Sequence, residues 1–390
     1  MSTYDSGVKR PSKAGSGHRP FLLPVSGDRY VYDYMVGTGG IGKGLYFLLE
    51  GNHTLGRNES RMARWETYED YCKLHIICHY VATLSGCGNN NGFEVSPIGK
   101  LGEDSPGRDV YEMMKRTGMN MTAVTRTFGL RTLLSVCFQY EDGAGGNITA
   151  SNSASSAVSA GDIDRFFSNF DWKGRRGIFL AVPEVHLASR IRLLDHGRSC
   201  GAFNIASLLS SEVEEFTRCN GFAKTDLLAI NRDEALWIAE FAGKEEPGTD
   251  QLVDACIRKL VAANPDIHVA ITDGAGGSYG YANGRLEFVP PLPADNVLGT
   301  AGAGDAFLSG ILCGLNCGLP FLKGCRDIRF SDTPLQSAME LGTLLASLSV
   351  TSPDTIHHDA DALTLCQFAK SKQLTLSDSF IKLFEKDENP

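Results

Sequence analysis

The chain predicts an α/β fold, a single doubly wound domain whose mostly parallel sheet is covered by helices on both faces. Three observations carry that prediction. Short apolar runs at 178–182 (Ile-Phe-Leu-Ala-Val), 226–230 and 268–272 have the length and content of strands buried on both faces. Segments with apolar residues spaced by three and four alternate with them, as helices connecting parallel strands would. Small residues from Gly299 to Gly304 then open an apolar run, and a loop of uncovered N–H groups leading into a helix is where such sheets bind anions.

Composition sets the outer limits. A chain of 390 residues with 42% hydrophobic and 21% charged residues reads as a soluble globular protein holding one large or two ordinary domains. A formal net charge of −9 argues against a general nucleic-acid binder, which would carry a basic surplus. No apolar run approaches the roughly 20 residues that span a bilayer, and the N-terminus lacks the apolar core of a secretory signal. The eleven cysteines are scattered, many in apolar stretches, and read as reduced thiols of a cytoplasmic protein.

Taken in order, residues 1–28 are rich in Ser, Gly, Pro, Lys and Arg and read as a flexible tail before a domain spanning 29–370. Arg29 to Val36 has the β-branched and aromatic content of a strand. Gly37 to Gly44 then imitates two motifs. It fits a dinucleotide fingerprint, but no second strand ending in an acid follows. It also fits seven places of a P-loop, with Gly44 where a magnesium-binding hydroxyl belongs.

Asn52 to Glu69 is polar and carries Arg57, Arg61 and Arg64 with Glu59 among them. Guanidinium groups suit a carboxylate or phosphate, so an anionic substrate and a solvated loop are both readings here. Asp70 to Leu84 reads as a helix, with Tyr71, Leu74, Ile77, Cys78 and Val81 as its apolar face. His75 and His79 lie one turn apart near Cys72 and Cys78. No second cysteine pair at ligand spacing accompanies them, so a packed helix is the simpler reading. Leu133 to Tyr140 reads as a strand and Glu141 to Gly143 as a turn.

Glu184 follows the strand at 178–182, and Asn231-Arg232-Asp233-Glu234 follows the one at 226–230. The second spacing satisfies a capping box as well as a ligand pair. Asp273 to Gly277 follows the strand at 268–272, Gln336 to Val350 is an apolar helix, and 371–390 forms a peripheral helix and charged tail. In the small-residue loop, Phe307, Ile311 and Leu315 fall at helical spacing. Asp305 sits where that helix begins, either as a capping carboxylate or as a base beside an anion site.

Gly-Ala-Gly-Asp-Ala-Phe at 302–307 resembles the C-terminal signature of the ribokinase-like (PfkB) sugar and nucleoside kinases. Ile98 to Arg108 resembles the family's strand–turn–helix, and Asn231 with Glu234 its Asn-x-x-Glu motif. The resemblance implies ATP-dependent phosphotransfer to a hydroxyl of a small sugar or sugar derivative. Asp305 would be the base, and Gly302, Ala303 and Gly304 the anion loop. Mg2+ would be organised by Asn231 and Glu234 with Glu184, and the nucleotide would lie against Asn231, Thr272, Gly274 and Gly277.

A small β lid from about 45–69 and 126–150 would cover the sugar, with Gly42, Asn52, Arg57 and Arg61 on the substrate side. The lid is also where two copies would meet in a homodimer. The alternatives are a nucleoside kinase and a kinase-like protein that binds ligand without catalysis. Two departures stand out. Asp70-Tyr71-Cys72-Lys73-Leu74-His75 replaces the family's Gly-Gly and Asn, and Gly299 replaces an aspartate that helps hold a monovalent cation in several members.

Overall fold

The alternating apolar runs build a three-layer α/β/α sandwich in the computed structural model, which describes residues 19–385 apart from 26, 28, 90, 143, 246 and 325–332. In chain order the first strands are β1 (Tyr34–Thr38), β2 (Gly42–Leu49), β3 (Ala63–Tyr71), β4 (Glu94–Gly102), β5 (Val124–Thr127), β6 (Leu133–Gln139) and β7 (Gly145–Thr149). The later ones are β8 (Gly177–Ala181), β9 (Phe203–Ala206), β10 (Leu227–Asn231), β11 (His268–Thr272), β12 (Ser278–Ala282) and β13 (Arg285–Val289). The helices are α1 (Lys73–Leu84), α2 (Ser105–Arg116), α3 (Ala160–Asn169), α4 (Leu187–Cys200), α5 (Val213–Arg218) and α6 (Arg232–Ile238). They continue with α7 (Thr249–Ala263), α8 (Ala303–Cys317), α9 (Ala338–Ser349), α10 (Ala362–Ser371) and α11 (Asp378–Lys382).

Nine strands form the main sheet in the order β13-β12-β11-β10-β9-β8-β1-β4-β5. The pairings from β11 to β5 are parallel, and β12 and β13 add an antiparallel edge. Alternate side chains divide between two cores, as a strand covered on both faces requires. Met35, Ile178, Leu180 and Leu227 pack with α1, α8 and α9, whereas Tyr34, Val36, Phe179 and Leu228 pack with α3, α4 and α7. Because these strands are parallel, their carboxyl ends share one edge, where α/β sheets bind ligands.

A second sheet of four strands, β3-β2-β6-β7, stands apart from the first. Residues opposite one another share a face, so the register puts Gly44, Asp70 and Ser135 together, with Tyr46, Cys137 and Asn147 beside them. The other face carries Phe47, Trp65, Leu134 and Ile148, of which the last three are exposed.

Several boundaries differ from the sequence expectation. The first strand begins at Tyr34, not Arg29. Asp70 and Tyr71 belong to β3, because pairing with Gly44 and Lys43 extends the strand to the point where α1 begins. That helix is buried from Leu74 to Leu84 on every side rather than on one face, since it lies between the sheet and α8.

Residues 19–25, expected in the tail, are anchored. Leu22 is fully buried and donates to the Leu84 carbonyl, and Val25 donates to that of Cys317. Residues 1–18 lie outside the described residues, as do 386–390. Towards the C-terminus, Phe380 and Leu383 are buried in the core, so the segment to 385 is packed rather than peripheral.

Candidate active site

The loop that opens α8 takes its shape from glycine. Gly302 has φ +79° and caps α8, and a Cβ there would come within 2.6 Å of the Thr355 carbonyl oxygen. Both the backbone sign and the space exclude a larger residue. Ala303, Gly304 and Asp305 are the first three residues of α8, whose N–H groups have no acceptor in the helix behind them. Ala303 N–H turns back to the Thr300 carbonyl at 3.3 Å.

Asp305 is therefore inside the first turn, not at the cap, and makes no capping hydrogen bond. Its Oδ1 instead accepts from Lys73 Nζ at 2.8 Å. Burial pulls the lysine pKa down, but the Asp305 carboxylate outweighs it, with help from Glu234 and Glu184, so the net shift is upward.

Lys73 begins α1, and its own N–H donates to Glu184 Oε2 at 3.1 Å. Glu184 follows β8 in the left-handed region at φ +78°, a conformation that costs about 1–3 kcal/mol in a residue with a side chain. The Gly40 N–H donates to the Pro183 carbonyl at 2.9 Å and holds that turn. Burial pushes the Glu184 carboxyl up to about 7, against the pull of Lys73, with Asp305 and Asp70 adding to the rise. Glu184 thus stands near its own midpoint at neutral pH.

These groups open onto a cavity of about 410 Å³ between the small sheet and the loop at 300–305, with Asp70, Lys73, Glu184, Asp305, Tyr46 and Asn147 on its wall. Asp70 is 3% exposed. Its Oδ2 accepts from Ser135 Oγ at 2.8 Å and from Cys137 Sγ at 3.3 Å. Burial raises its pKa and these two donors oppose the rise. A Cβ on Gly44 would stand 1.7 Å from that carboxylate, so the glycine opposite is what leaves room for it.

The other sequence candidates lie in three places. Asn231 caps α6 with Glu234 in a reciprocal capping box. The Glu234 N–H donates to Asn231 Oδ1 at 2.9 Å, and the Asn231 N–H to Glu234 Oε2 at 2.7 Å. The cap accounts for the spacing, while the carboxylate also senses the site, since Lys73 lowers and Asp305 raises its pKa beneath a larger rise from burial. Thr272 lies beside Asn231 in the β10–β11 register, with Gly274 and Gly277 in the loop that follows.

The expected substrate residues stand away from the cavity wall. Gly42 packs β2 against β6, where a Cβ would be 2.3 Å from the Leu133 carbonyl oxygen. Asn52 accepts from the Asp142 N–H. Arg61 donates to Glu59 at 2.6 Å and to the His53 carbonyl at 2.7 Å, and Arg57 is exposed. Lys73 and Asp70 are the residues that sequence reasoning passed over. The signal for them was the departure at 70–75 itself, which put two charged groups among buried residues.

A doubly wound sheet, a small-residue loop opening a helix with an aspartate in its first turn and a small sheet facing both place the fold in the ribokinase-like class. The chain belongs to the PfkB family of carbohydrate kinases, whose model matches residues 82–362. Among solved structures, ribokinase from Cryptococcus neoformans var. grubii serotype A in complex with ADP is similar at 18% identity and TM-score 0.66, covering 86% of this chain and 99% of that one. A Burkholderia thailandensis nucleoside kinase in complex with inosine is similar at 15% identity and TM-score 0.63, covering 88% and 99%. Aminoimidazole riboside kinase from Salmonella enterica, complexed with aminoimidazole riboside and an ATP analog, is similar at 17% identity and TM-score 0.59, covering 86% and 99%. At these identities the likeness is one of fold. A comparison with curated proteins gives no match.

Proposed function

We propose that the protein transfers the γ-phosphoryl group of ATP to a hydroxyl of a small sugar. The observation that carries this reading is Asp305, held in the first turn of α8 at the wall of a polar cavity and paired with Lys73. The acceptor enters beneath the small sheet, which serves as the lid, and hydrogen-bonds to Asp70. Asp305 takes the proton of the reacting CH2OH while its oxygen forms the new bond to the γ-phosphorus and the bond to the ADP oxygen breaks. The N–H groups of Gly304 and Asp305, and that of Ala303 once it leaves the Thr300 carbonyl, offset charge on the equatorial oxygens, joined by the Lys73 ammonium once the acceptor has displaced it from Asp305.

The nucleotide lies across the carboxyl ends of β10 and β11, against Asn231, Thr272, Gly274 and Gly277. Burial chiefly, and Asp305 to a lesser extent, raise the pKa of both Glu184 and Glu234, and carboxylates that gain from a nearby positive charge are the donors a divalent cation takes. Glu184 and Glu234, with Asn231, would hold Mg2+ largely through water, as that ion prefers. When bound, the ion neutralises charge on the nucleotide phosphates.

Arg57 and Arg61 contribute nothing to this acceptor site, and a neutral sugar suits it better than an acidic one. A nucleoside is the second reading, favoured by Tyr46, Tyr71 and Phe138 on the same cavity wall. Any homodimer would use the outer face of the lid around Trp65, Leu134 and Ile148. The free thiols, most of them buried or half-buried, suit a reducing cytoplasm. No helix among the described residues is long and apolar enough to cross a membrane.

The test is ADP release by the purified protein with ATP and Mg2+ across neutral sugars, sugar acids and nucleosides. The expected result is strong stimulation by a neutral sugar, with the phosphosugar identified by mass. A higher kcat/KM on nucleosides selects the second reading. Stimulation by no acceptor sinks both.

A further inference from the structure

Beyond the cavity, a second polar cluster joins the end of β3 to the loop after α9. Glu69, Asp354 and His358 each place one ligand atom within 4.8 Å of the others. His358 Nε2 stands 3.3 Å from Glu69 Oε2, and Tyr71 OH donates to the same oxygen at 2.9 Å. The Glu69 N–H donates to Asp354 Oδ1 at 2.7 Å. These three half-buried residues come from parts of the chain some 285 residues apart, so the fold, not local sequence, gathers them.

A separate observation comes from α1. His79 is 5% exposed, and its Nδ1 has no hydrogen-bond partner. An unpaired buried polar group costs about 1–3 kcal/mol. The His79 ring meets that of His358 edge-on, with an angle of 75° between the planes and centroids 5.4 Å apart. Two imidazoles on one tetrahedral ion, with metal–nitrogen bonds of about 2.1 Å, put their ring centroids roughly 5 Å apart. His79 lies outside the three residues whose ligand atoms come within 4.8 Å of one another, and a turn of its ring about the side-chain bonds would bring it in as a fourth ligand.

We infer that Glu69, Asp354, His358 and His79 form a binding site for a divalent transition ion, zinc best fitting two imidazoles and two carboxylates. Imidazole ligands disfavour magnesium and calcium, which take oxygen. The site would pin β3 to the loop that backs the anion hole. Thr355 in that loop accepts from Tyr71 N–H at 3.0 Å and donates its own N–H to the Glu69 carbonyl, and its carbonyl lies against Gly302. This inference stands apart from the phosphotransfer reading.

The experiment strips the full-length protein with a chelator and titrates it with Zn2+ against a chromophoric competitor, without nucleotide, acceptor or Mg2+. Wild type is expected to bind one equivalent. Glu69→Gln keeps an acceptor for Tyr71, and Asp354→Asn keeps the Oδ1 that caps Glu69 N–H. Each is expected to weaken binding by about tenfold or more with an unchanged far-ultraviolet spectrum, and His79→Phe to weaken it further than a surface control. Co2+ in place of Zn2+ is expected to show tetrahedral visible bands without a thiolate charge-transfer band. No bound equivalent, equal affinity in Glu69→Gln and Asp354→Asn, or a cobalt–thiolate band would each overturn the assignment.

Discussion

The loop side of the cavity, to which we assign the phosphate, comes from one unbroken stretch, 299–307, whereas the sheet side, which we assign to the acceptor, is assembled from β2, β3, β6, β7 and the start of α1. On the first side, small residues dictate the backbone, and the backbone alone decides which N–H groups are left without a helical acceptor. On the second, Asp70 becomes a cavity group only because Gly44 and Ser135 lie opposite it in the register. A site written in consecutive residues can be read from them. One written in strand pairing cannot be read until the pairing is known.

If the two sides divide the labour in this way, changes to each should separate chemistry from binding. The largest effect is expected for Asp305→Asn, which keeps shape and loses the base. We expect kcat to fall by about 10²–10⁴-fold with ATP affinity nearly unchanged, measured by steady-state kinetics and nucleotide titration. Near-normal turnover would erase the distinction between the sides.

Asp70→Asn should act on the acceptor instead. Losing one charge-assisted hydrogen bond of about 1.5–3 kcal/mol should lower kcat/KM for the acceptor by roughly 10–100-fold and leave KM for ATP unchanged. A matching rise in KM for ATP would show that Asp70 serves both sides.

The third effect falls on stability rather than on turnover and lies between the two sides, at Glu184. Its folded pKa is about 7 against an ordinary 4.5, so the native state holds the proton more tightly than the unfolded state. Below about pH 4.5 both states are protonated and nothing is lost. As pH rises from there through 7 the native state loses stability, by roughly 3 kcal/mol at most. Glu184→Gln should remove that slope, its stability advantage over wild type growing between pH 5 and pH 8 in denaturant melts. Parallel curves would mean the carboxylate is ionised throughout.

How far the sequence could be read follows the same division. The strands at 178–182, 226–230 and 268–272 are legible because a doubly covered strand needs an apolar run, and each lies within one residue of its expected place. Asp305 stands in the sequence as either a cap or a base, and the structure removes the capping reading by placing it inside the first turn with Lys73 as its partner. Asn231 and Glu234 remain double-valued because the capping box they make has the spacing a ligand pair would have.

Arg61 is open to two readings for a different reason. Its partners, Glu59 and the His53 carbonyl, are close in sequence, but whether a guanidinium turns inward to them or outward to a ligand is settled by loop conformation. The helix expected from Asp70 starts at Lys73 because tertiary pairing with β2 overrides local preference.

That late start has a consequence for which molecules can react. Asp70 and Lys73 lie three residues apart, across the join of strand and helix, and no glycine occurs between Glu69 and Leu84. Three residues reach at most about 10 Å, so in the proposed mechanism the carboxylate that would grip the acceptor and the ammonium beside Asp305 are jaws of one short, stiff caliper. An acceptor must present its gripped group and its reacting hydroxyl at that fixed gauge. A single sugar ring spans such a gauge, and a longer polyol would have to fold to meet it.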